Sequence, residues 1–307
     1  RNIAYGVDGT FGFFQNLIIN TYWARTETGG VRGDDQSYRA QLDYGGDRYG
    51  VQAERLVVGR HFNPEIGFVR RPNMERSFGH LRFSPRTPGM PKVRRLFSAG
   101  SFTYIENQQG RLESRNIDGE LAVEYQNGDR PFVGYSQSYE FLPQPFTIAT
   151  GITLQSQGYT FGNARAGYSL GPRRRVAGTL MIERGAFYSG HKTSYSWSRG
   201  RVFLTPQFAF EPRFSIDQVE LIEGRFTNTL VGSRATYTVT PLMFVSALVQ
   251  YNSSLRAVLA NVRLRWEYRP GSEIFVVWNE QRNTIGTRLH ELANRALIVK
   301  VNRLFRF

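Results

Sequence analysis

The segment Ala257–Arg269 restricts the possible folds of this chain more than any other stretch. One alternate set of its residues is apolar: Val258, Ala260, Val262, Leu264, Trp266 and Tyr268. The set between them is polar or charged: Asn261, Arg263, Arg265, Glu267 and Arg269. A period of two indicates a β-strand with two different faces. A dry core would not accept four charges on one face without partners, so we expect lipid on the apolar side and water or paired charge on the other.

The last fourteen residues, Asn294–Phe307, show the same alternation. Their apolar row contains Leu297, Val299, Val301, Phe305 and Phe307, and the opposite row contains Lys300, Asn302 and Arg306 together with Ile298 and Leu304. This final stretch resembles the C-terminal assembly signal of bacterial outer-membrane barrels, with Phe305 and Phe307 as the aromatic pair. The resemblance implies contact with the barrel assembly machinery. The alternative is the closing strand of a soluble β-sandwich.

Composition excludes several classes of protein. The 307 residues contain no Cys, so neither a disulfide framework nor a zinc-thiolate site is possible. No run of about 18 apolar residues is present, so we expect no membrane-spanning helix. The net charge is +14, and only three of the 39 basic residues are Lys. These cations are spread along strands instead of forming a patch, which argues against nucleic acid and favours an Arg-rich interior or Arg at rims facing lipid phosphates.

Strand and turn signals alternate along almost the whole chain. They predict an all-β fold, an antiparallel up-and-down transmembrane β-barrel with about 16–18 strands. We predict that residues 1–307 are the C-terminal portion of a longer protein, with further strands upstream. The Asn127–Gly128 pair predicts a tight turn, a long loop is expected at Gln281–Ala293, and Thr287–Leu297 is the only stretch with helical character. The alternation of apolar and polar residues shifts by one position near Gly200, which predicts a β-bulge there. Short turns that contain Pro (GPRR, EPR, TPLM, RPGS) fall at the same end of the barrel as Phe307, which predicts a periplasmic end.

Several phrases resemble a bacterial family of uncharacterised outer-membrane β-barrels: AYGVDGTFGFFQN, FNPEIGFVRR, SALVQYNSSLRAVLANVRLRWEYRPGSEIFVVWNE and VNRLFRF. The resemblance covers essentially the whole chain. In that family the barrel commonly follows a domain similar to family 9 carbohydrate-binding modules, which is absent from this sequence. The resemblance therefore implies an outer-membrane location, contact with membrane lipid and lipopolysaccharide, and an upstream carbohydrate-binding partner. It implies no particular activity.

The segment Val58–Pro72 interrupts the strand pattern and has the densest set of candidate ligands. Within it lie Arg60, His61, Asn63, Glu65, Arg70 and Arg71. It could enter the lumen as a constriction, bind a sugar or phosphate, or form a structural loop whose charges pair with those of the interior. No two of the four His have metal-ligand spacing, so we predict neither a metal site nor a cofactor.

The sequence leaves two functional classes open. The first is an outer-membrane channel, transporter or scaffold, with a role in glycan uptake, whose lumen is lined by Arg263, Arg265, Glu267 and Lys300. An open lumen with this excess of Arg predicts a preference for anions. The second is an outer-membrane hydrolase that acts on glycan or lipid at the extracellular rim, because His191 is near Ser189, Ser194 and Glu183. No nucleophile motif surrounds these residues, so the sequence favours a non-enzymatic role.

Overall fold

The computed structural model describes residues 1–30, 33–285 and 288–305, and these residues contain nineteen β-strands and no helix. The strands are β1 Asn2–Phe13, β2 Leu17–Thr28, β3 Gln36–Gly45, β4 Tyr49–Val58, β5 Met74–Phe83, β6 Val93–Glu106, β7 Leu112–Tyr125, β8 Arg130–Phe141, β9 Phe146–Ala149, β10 Ile152–Leu154, β11 Gly158–Leu170, β12 Val176–Phe187, β13 Gly190–Phe203, β14 Phe208–Leu221, β15 Gly224–Thr240, β16 Met243–Asn252, β17 Ala257–Arg269, β18 Ser272–Ile285 and β19 Arg288–Asn302. The all-β prediction is confirmed.

Seventeen of the described strands form one antiparallel sheet, and β9 and β10 form a separate hairpin. Strands β1 to β8 pair in chain order. Strands β13 to β19 do the same. The up-and-down order and the expected strand number are therefore confirmed. Each of the seventeen strands has at least ten residues, so at least five side chains point to each face of the sheet.

The chain divides into two compact units, which we describe separately. Unit 1 contains Arg1–Gln126, Phe132–Arg165 and Gly185–Ser189, and unit 2 contains Asn127–Pro131, Ala166–Arg184 and Gly190–Phe307. In unit 1, connections of seven, fifteen and five residues (29–35, 59–73 and 107–111) lie at one end of the strands. In unit 2, the connections 222–223 and 253–256 at one end are short, and those at the other end contain Pro206, Pro241 and Pro270.

The predictions for 281–297 were wrong. We expected a loop at Gln281–Ala293 and helical character at Thr287–Leu297, but β18 continues to Ile285 and β19 begins at Arg288. Leu, Glu and Ala favour helices in isolation, but pairing with β18 outweighs that local preference. Positions 286–287 lie outside the described residues. The final strand also ends at Asn302, earlier than the sequence pattern indicated.

The phase change in β13 is a β-bulge, as predicted. Its register with β14 shifts between Trp197 and Val202, and Arg199 has a positive φ of 51°. The position opposite the bulge in β14 is Pro212, which has no N–H to donate. We had predicted that EPR (211–213) forms a turn, and this was wrong. The turn is 204–207 and contains Pro206, while the residues EPR continue β14.

Candidate functional site

The two faces of the sheet in unit 2 differ in chemistry, because the charged and amide side chains of β17 and its neighbours lie mostly on one of them. The strand register places one apolar row of each strand on a common face: Val249, Val262, Leu264, Trp266, Ile274, Val276, Trp278, Leu297, Val299 and Val301. Leu297 is 67% exposed, Val299 60% and Trp266 44%. We call this the apolar face. A soluble monomer rarely exposes so large a continuous apolar surface, so the face needs an apolar cover.

The opposite face, which we call the polar face, contains the four charges that the sequence predicted together. Arg265, Phe275 and Lys300 are neighbours in one row across β17, β18 and β19. Arg265 forms an ion pair with Glu273 and lies over the Phe275 ring, 6.0 Å from its centroid. Arg263 and Lys300 are exposed. These cations are in a position to meet an anionic solute.

Glu267 is also on the polar face, but its carboxylate has a structural partner. The backbone N–H of Gly271 donates to Glu267 Oε1 at 2.9 Å. Gly271 has a φ of +75°, in the region that favours glycine, and it forms the two-residue turn between β17 and β18. Glu267 therefore stabilises this turn, so like Arg265, which pairs with Glu273, it has a local structural partner.

Seven amide side chains lie on the polar face of β16 to β19, beyond the charged rows. This amide patch consists of Gln250, Asn252, Asn261, Asn279, Gln281, Asn283 and Asn294. Asn261 Nδ2 donates to Asn279 Oδ1 at 2.5 Å. Five of these amides line an open cavity of about 340 Å³ together with Leu248, Leu259, Ala260, Ala296 and one carboxylate, Glu280. Sequence analysis missed the patch because its members come from four strands, and only the register brings them together.

Unit 1 also has an apolar and a polar face. Val7, Leu81 and Leu121 are more than half exposed and lie on one common face of β1 to β8. The other face is charged and paired: Arg165 contacts both Asp118 oxygens, at 2.5 and 3.0 Å. Paired charge is the expected state of a partly buried polar surface.

The predicted insert, Val58–Pro72, begins with the last residue of β4 and then forms the connection to β5. Hydrogen bonds fix its first half to its neighbours in unit 1. The backbone N–H of His61 donates to Asp34 O at 2.8 Å, and its ring Nδ1 is 2.9 Å from Gly33 O. The N–H of Asn63 donates to Thr26 Oγ1 at 3.0 Å, and the N–H of Arg60 donates to Gln108 Oε1 at 3.3 Å. These contacts support a structural role.

The second half of the insert is more open. Arg71 forms an ion pair with Glu113. Glu65 and Arg70 are exposed, and between them Ile66 is 92% and Phe68 86% exposed. The structure therefore does not gather the six predicted ligands into one pocket. Whether they bind a solute remains a prediction.

His191 and Ser194, two of the residues that suggested a hydrolase, do not form a catalytic pair. His191 and Ser194 are three positions apart in β13, so they lie on opposite faces of the strand. Glu183 pairs with Lys192 at 3.0 Å. In the described part of the chain, no group of three or more His, Asp or Glu side chains is arranged to hold a metal ion. No observation here favours a hydrolytic site.

Asp129 is a buried carboxylate that sequence analysis also missed. It is 2% exposed and accepts hydrogen bonds from the Arg174 guanidinium, the Gly171 N–H and the Tyr168 hydroxyl at 2.5–3.0 Å. The hydrogen bonds from these donors hold the pKa of Asp129 well below its usual range, and the Arg174 guanidinium has the largest effect. The predicted Asn127–Gly128 turn precedes it, so this carboxylate joins two neighbouring turns of unit 2.

The proposed assembly signal lies only partly within the described residues. Phe305 follows β19, is 62% exposed, and its ring centroid is 4.8 Å from the Arg303 guanidinium carbon. Phe307 lies outside the described residues. The backbone N–H of Leu304 donates to Ser272 Oγ at 3.1 Å, which fixes the chain beside the turn between β17 and β18.

Comparisons with known proteins find matches among solved structures only. No family model and no curated protein sequence matches the chain. A solved structure with a similar fold is a mutant ferric enterobactin receptor from Pseudomonas aeruginosa in complex with enterobactin, with a TM-score of 0.45 and 8% identity over 97% of this chain and 70% of that one. Among the residues that the structure describes, no helix has the length and apolar character needed to cross a membrane.

Proposed function

We propose that this chain is an integral β-barrel of the bacterial outer membrane that serves as a channel or transporter, and as a membrane scaffold for any domain attached to it. The observation that carries this proposal is the contrast between the two faces of the sheet. Exposed aliphatic and aromatic side chains cover one face, and charges and amides cover the other. Lipid on the first and water on the second is the arrangement that leaves neither face unsatisfied.

The dimensions of the apolar face support a membrane as its cover. In β17 the apolar row extends over ten residue steps, from Val258 to Tyr268. At about 3.3 Å per residue and a strand tilt of about 40°, this row is about 25 Å tall, the height of the apolar band of outer-membrane barrels. Trp266 and Tyr268 lie at one end of the row, where an interfacial aromatic girdle is expected.

The positions of the charged residues also support lipid on the apolar face and water on the polar face. Glu280 accepts from Arg295 at 2.9 Å and also pairs with Arg282, so the apolar face of β18 and β19 ends in a compact ion cluster. Charges at such a level would contact lipid headgroups or lipopolysaccharide phosphates, which we propose as partners. On the polar face, Arg263 and Lys300 would give an open lumen a preference for anions.

The finer proposal is that the solute is related to glycans. Its supports are the resemblance of the sequence to barrels that follow carbohydrate-binding modules and the neutral, amide-rich part of the polar face. Assembly would require the barrel assembly machinery, with Phe305 and Phe307 in the recognised segment. The location that follows from all of these points is the outer membrane of a bacterium.

Two neighbouring valines allow a matched test of the face assignment. Val276 is on the apolar face and Val277 on the polar face of the same strand. We expect Val276→Arg to reduce insertion into outer-membrane vesicles strongly, because Arg against lipid near the midplane costs about 2–4 kcal/mol. Val277→Arg should insert normally. The measurement is heat-modifiable gel migration of the membrane fraction. The proposal is contradicted if both variants insert normally or if both fail to insert.

The channel function is tested separately in planar bilayers. The wild-type chain should give discrete conductance steps, and its reversal potential in a salt gradient should indicate anion preference. Val277→Arg should shift that potential further toward anions, because it adds a cation to the polar face. A protein that inserts without conductance would be a plugged scaffold, and cation selectivity would contradict the assignment of the charged rows.

A further inference from the structure

The amide patch differs from the rest of the polar face because it has hydrogen-bonding capacity without charge. Its members lie in adjacent rows of the register. One row runs Leu248, Asn261, Asn279 and Ala296, and the next runs Gln250, Leu259, Gln281 and Asn294. A third row begins Asn252, Ala257 and Asn283. Within β16 to β19 these rows contain no carboxylate and no cation, although the charged rows of Arg263 and Arg265 follow directly in the same strands. Beyond β16 the first row continues to Arg234 in β15 and the second to Arg213 in β14.

Much of the bonding capacity of the patch is unused within the protein. An amide side chain offers two N–H donors and a carbonyl acceptor. Asn261 and Asn279 bond each other, Gln250 Oε1 accepts from Arg213, and Asn252 Oδ1 accepts the N–H groups of Ser254 and Leu255 in the adjoining turn. Within the described residues, no side-chain hydrogen bond involves Gln281 or Asn294. Asn283 and Asn294 are exposed, so their amide groups are accessible.

Aliphatic side chains separate the amides within the patch. Leu248, Leu259 and Ala296 share its rows, and the first two help to line the 340 Å³ cavity. At strand spacings of about 4.8 Å, four strands and three rows give a surface about 14 Å across in each direction. A short saccharide has the matching chemistry, because its hydroxyls both donate and accept hydrogen bonds and its C–H groups pack on aliphatic carbons.

We infer that the amide patch binds an uncharged saccharide, and that it is the solute-recognition site of the channel proposed above, on which this inference rests. Other polar ligands fit less well. An anion or a cation would gain no charge-assisted hydrogen bond from neutral amides. The charged residues beside the patch are already engaged, since Arg213 bonds Gln250 and Glu280 pairs with Arg282 and Arg295. A nucleobase would lack an aromatic side chain for stacking in these rows. An extended peptide binds by adding to a free strand edge, and β16, β17 and β18 are paired on both sides.

The test uses maltotriose, cellotriose and xylotriose as neutral probes, with glucosamine and gluconate as charged counterparts. Binding is measured by calorimetry on the detergent-solubilised chain and by current interruption in planar bilayers. We expect at least one trisaccharide to bind and to interrupt the current. We expect Gln281→Ala with Asn294→Ala to weaken binding about tenfold or more, since each lost hydrogen bond typically weakens binding severalfold.

Asn302→Ala is the matched control, because Asn302 is an amide on the polar face of β19 outside the patch. It should change trisaccharide binding less than twofold. Trisaccharides that neither bind nor interrupt an open channel would overturn the inference while leaving the channel intact. So would binding that the double variant does not weaken, or equal binding of the charged sugars. Saccharide binding without conductance would instead contradict the channel function and keep the patch.

Discussion

Two regions of the molecule use the same polar residue types in opposite ways. At the loop-bearing end of unit 1, the polar groups are already paired: Asn107 Oδ1 accepts the N–H groups of Gln109 and Arg111 at 3.1 and 3.0 Å. Thr26 is 1% exposed and bonds to both the β2–β3 connection and the insert. In the amide patch of unit 2, Gln281 and Asn294 have no such bonds to other described residues.

Whether a polar side chain already has hydrogen-bond partners within the protein distinguishes a structural residue from a ligand-binding residue better than its residue type does. A buried polar group almost always has its partners within the protein, and removing one partner is costly. An accessible polar group with unused donors and acceptors loses little internal stability when it is replaced, but it can bond a solute. The insert has more charged residues than the amide patch, yet by this criterion its first half is structural.

Asp129 is the extreme case of a paired polar group and gives the largest expected effect. We predict that Asp129→Asn lowers the free energy of unfolding by about 2–3 kcal/mol, because a charge-assisted bond to Arg174 is weakened in a buried site. Chemical denaturation in detergent micelles measures this. Asp47→Asn is the control: Asp47 pairs with Arg86 in an exposed turn, so its loss should be much smaller.

The same carboxylate predicts a pH dependence. The pKa of Asp129 is lowered in the folded chain relative to about 3.9 in an unfolded one. Its contribution to stability is therefore complete above about pH 5 and declines as the pH falls through 4 and below. Stability of Asp129→Asn should be correspondingly less sensitive to acid over that range. An unchanged acid profile would show that this carboxylate does not stabilise the turns.

Most of the fold was predictable because alternation is a local signal. The strands around Ala257–Arg269, the bulge near Gly200 and the Asn127–Gly128 turn all follow from spacing or turn chemistry within a few residues. The errors were local conflicts. Residues 288–293 have helical propensity but pair with β18, and Pro212 indicated a turn, whereas a bulge in β13 accommodates it within the sheet.

The candidate site was predictable only in part. The sequence predicts that Arg263, Arg265 and Lys300 lie on the polar face, because alternate residues of a single strand point to the same face. The amide patch is not predicted in this way, because Gln250, Asn261 and Gln281 become neighbours only through the register of β16, β17 and β18. A shift of one residue in any of these strands would turn its amides to the apolar face. The turn contact between Asp129 and Arg174 joins residues 45 positions apart, which no local pattern indicates.

A smaller effect is expected where the insert joins β2. Thr26→Val keeps the shape of the side chain but removes the acceptor for the Asn63 N–H. We predict that hydrogen exchange at Asn63 becomes about fivefold faster, which corresponds to a loss of about 1 kcal/mol in local stability. Thr26→Ser retains the hydroxyl and should behave as the wild type. Equal exchange in all three proteins would mean that this bond does not hold the insert.

The smallest effect is expected at the exposed tip of the insert. Substitutions there test whether the insert, in place of the amide patch, binds the solute. Glu65→Gln and Arg70→Gln remove two of the predicted ligands, and both side chains are exposed. Surface substitutions of this kind typically change stability by less than about 0.5 kcal/mol. If recognition belongs to the amide patch, the double variant should bind trisaccharides within twofold of the wild type in the same calorimetric assay. A loss of binding comparable to that of the Gln281 and Asn294 double variant would indicate that the insert, and not the amide patch, binds the solute.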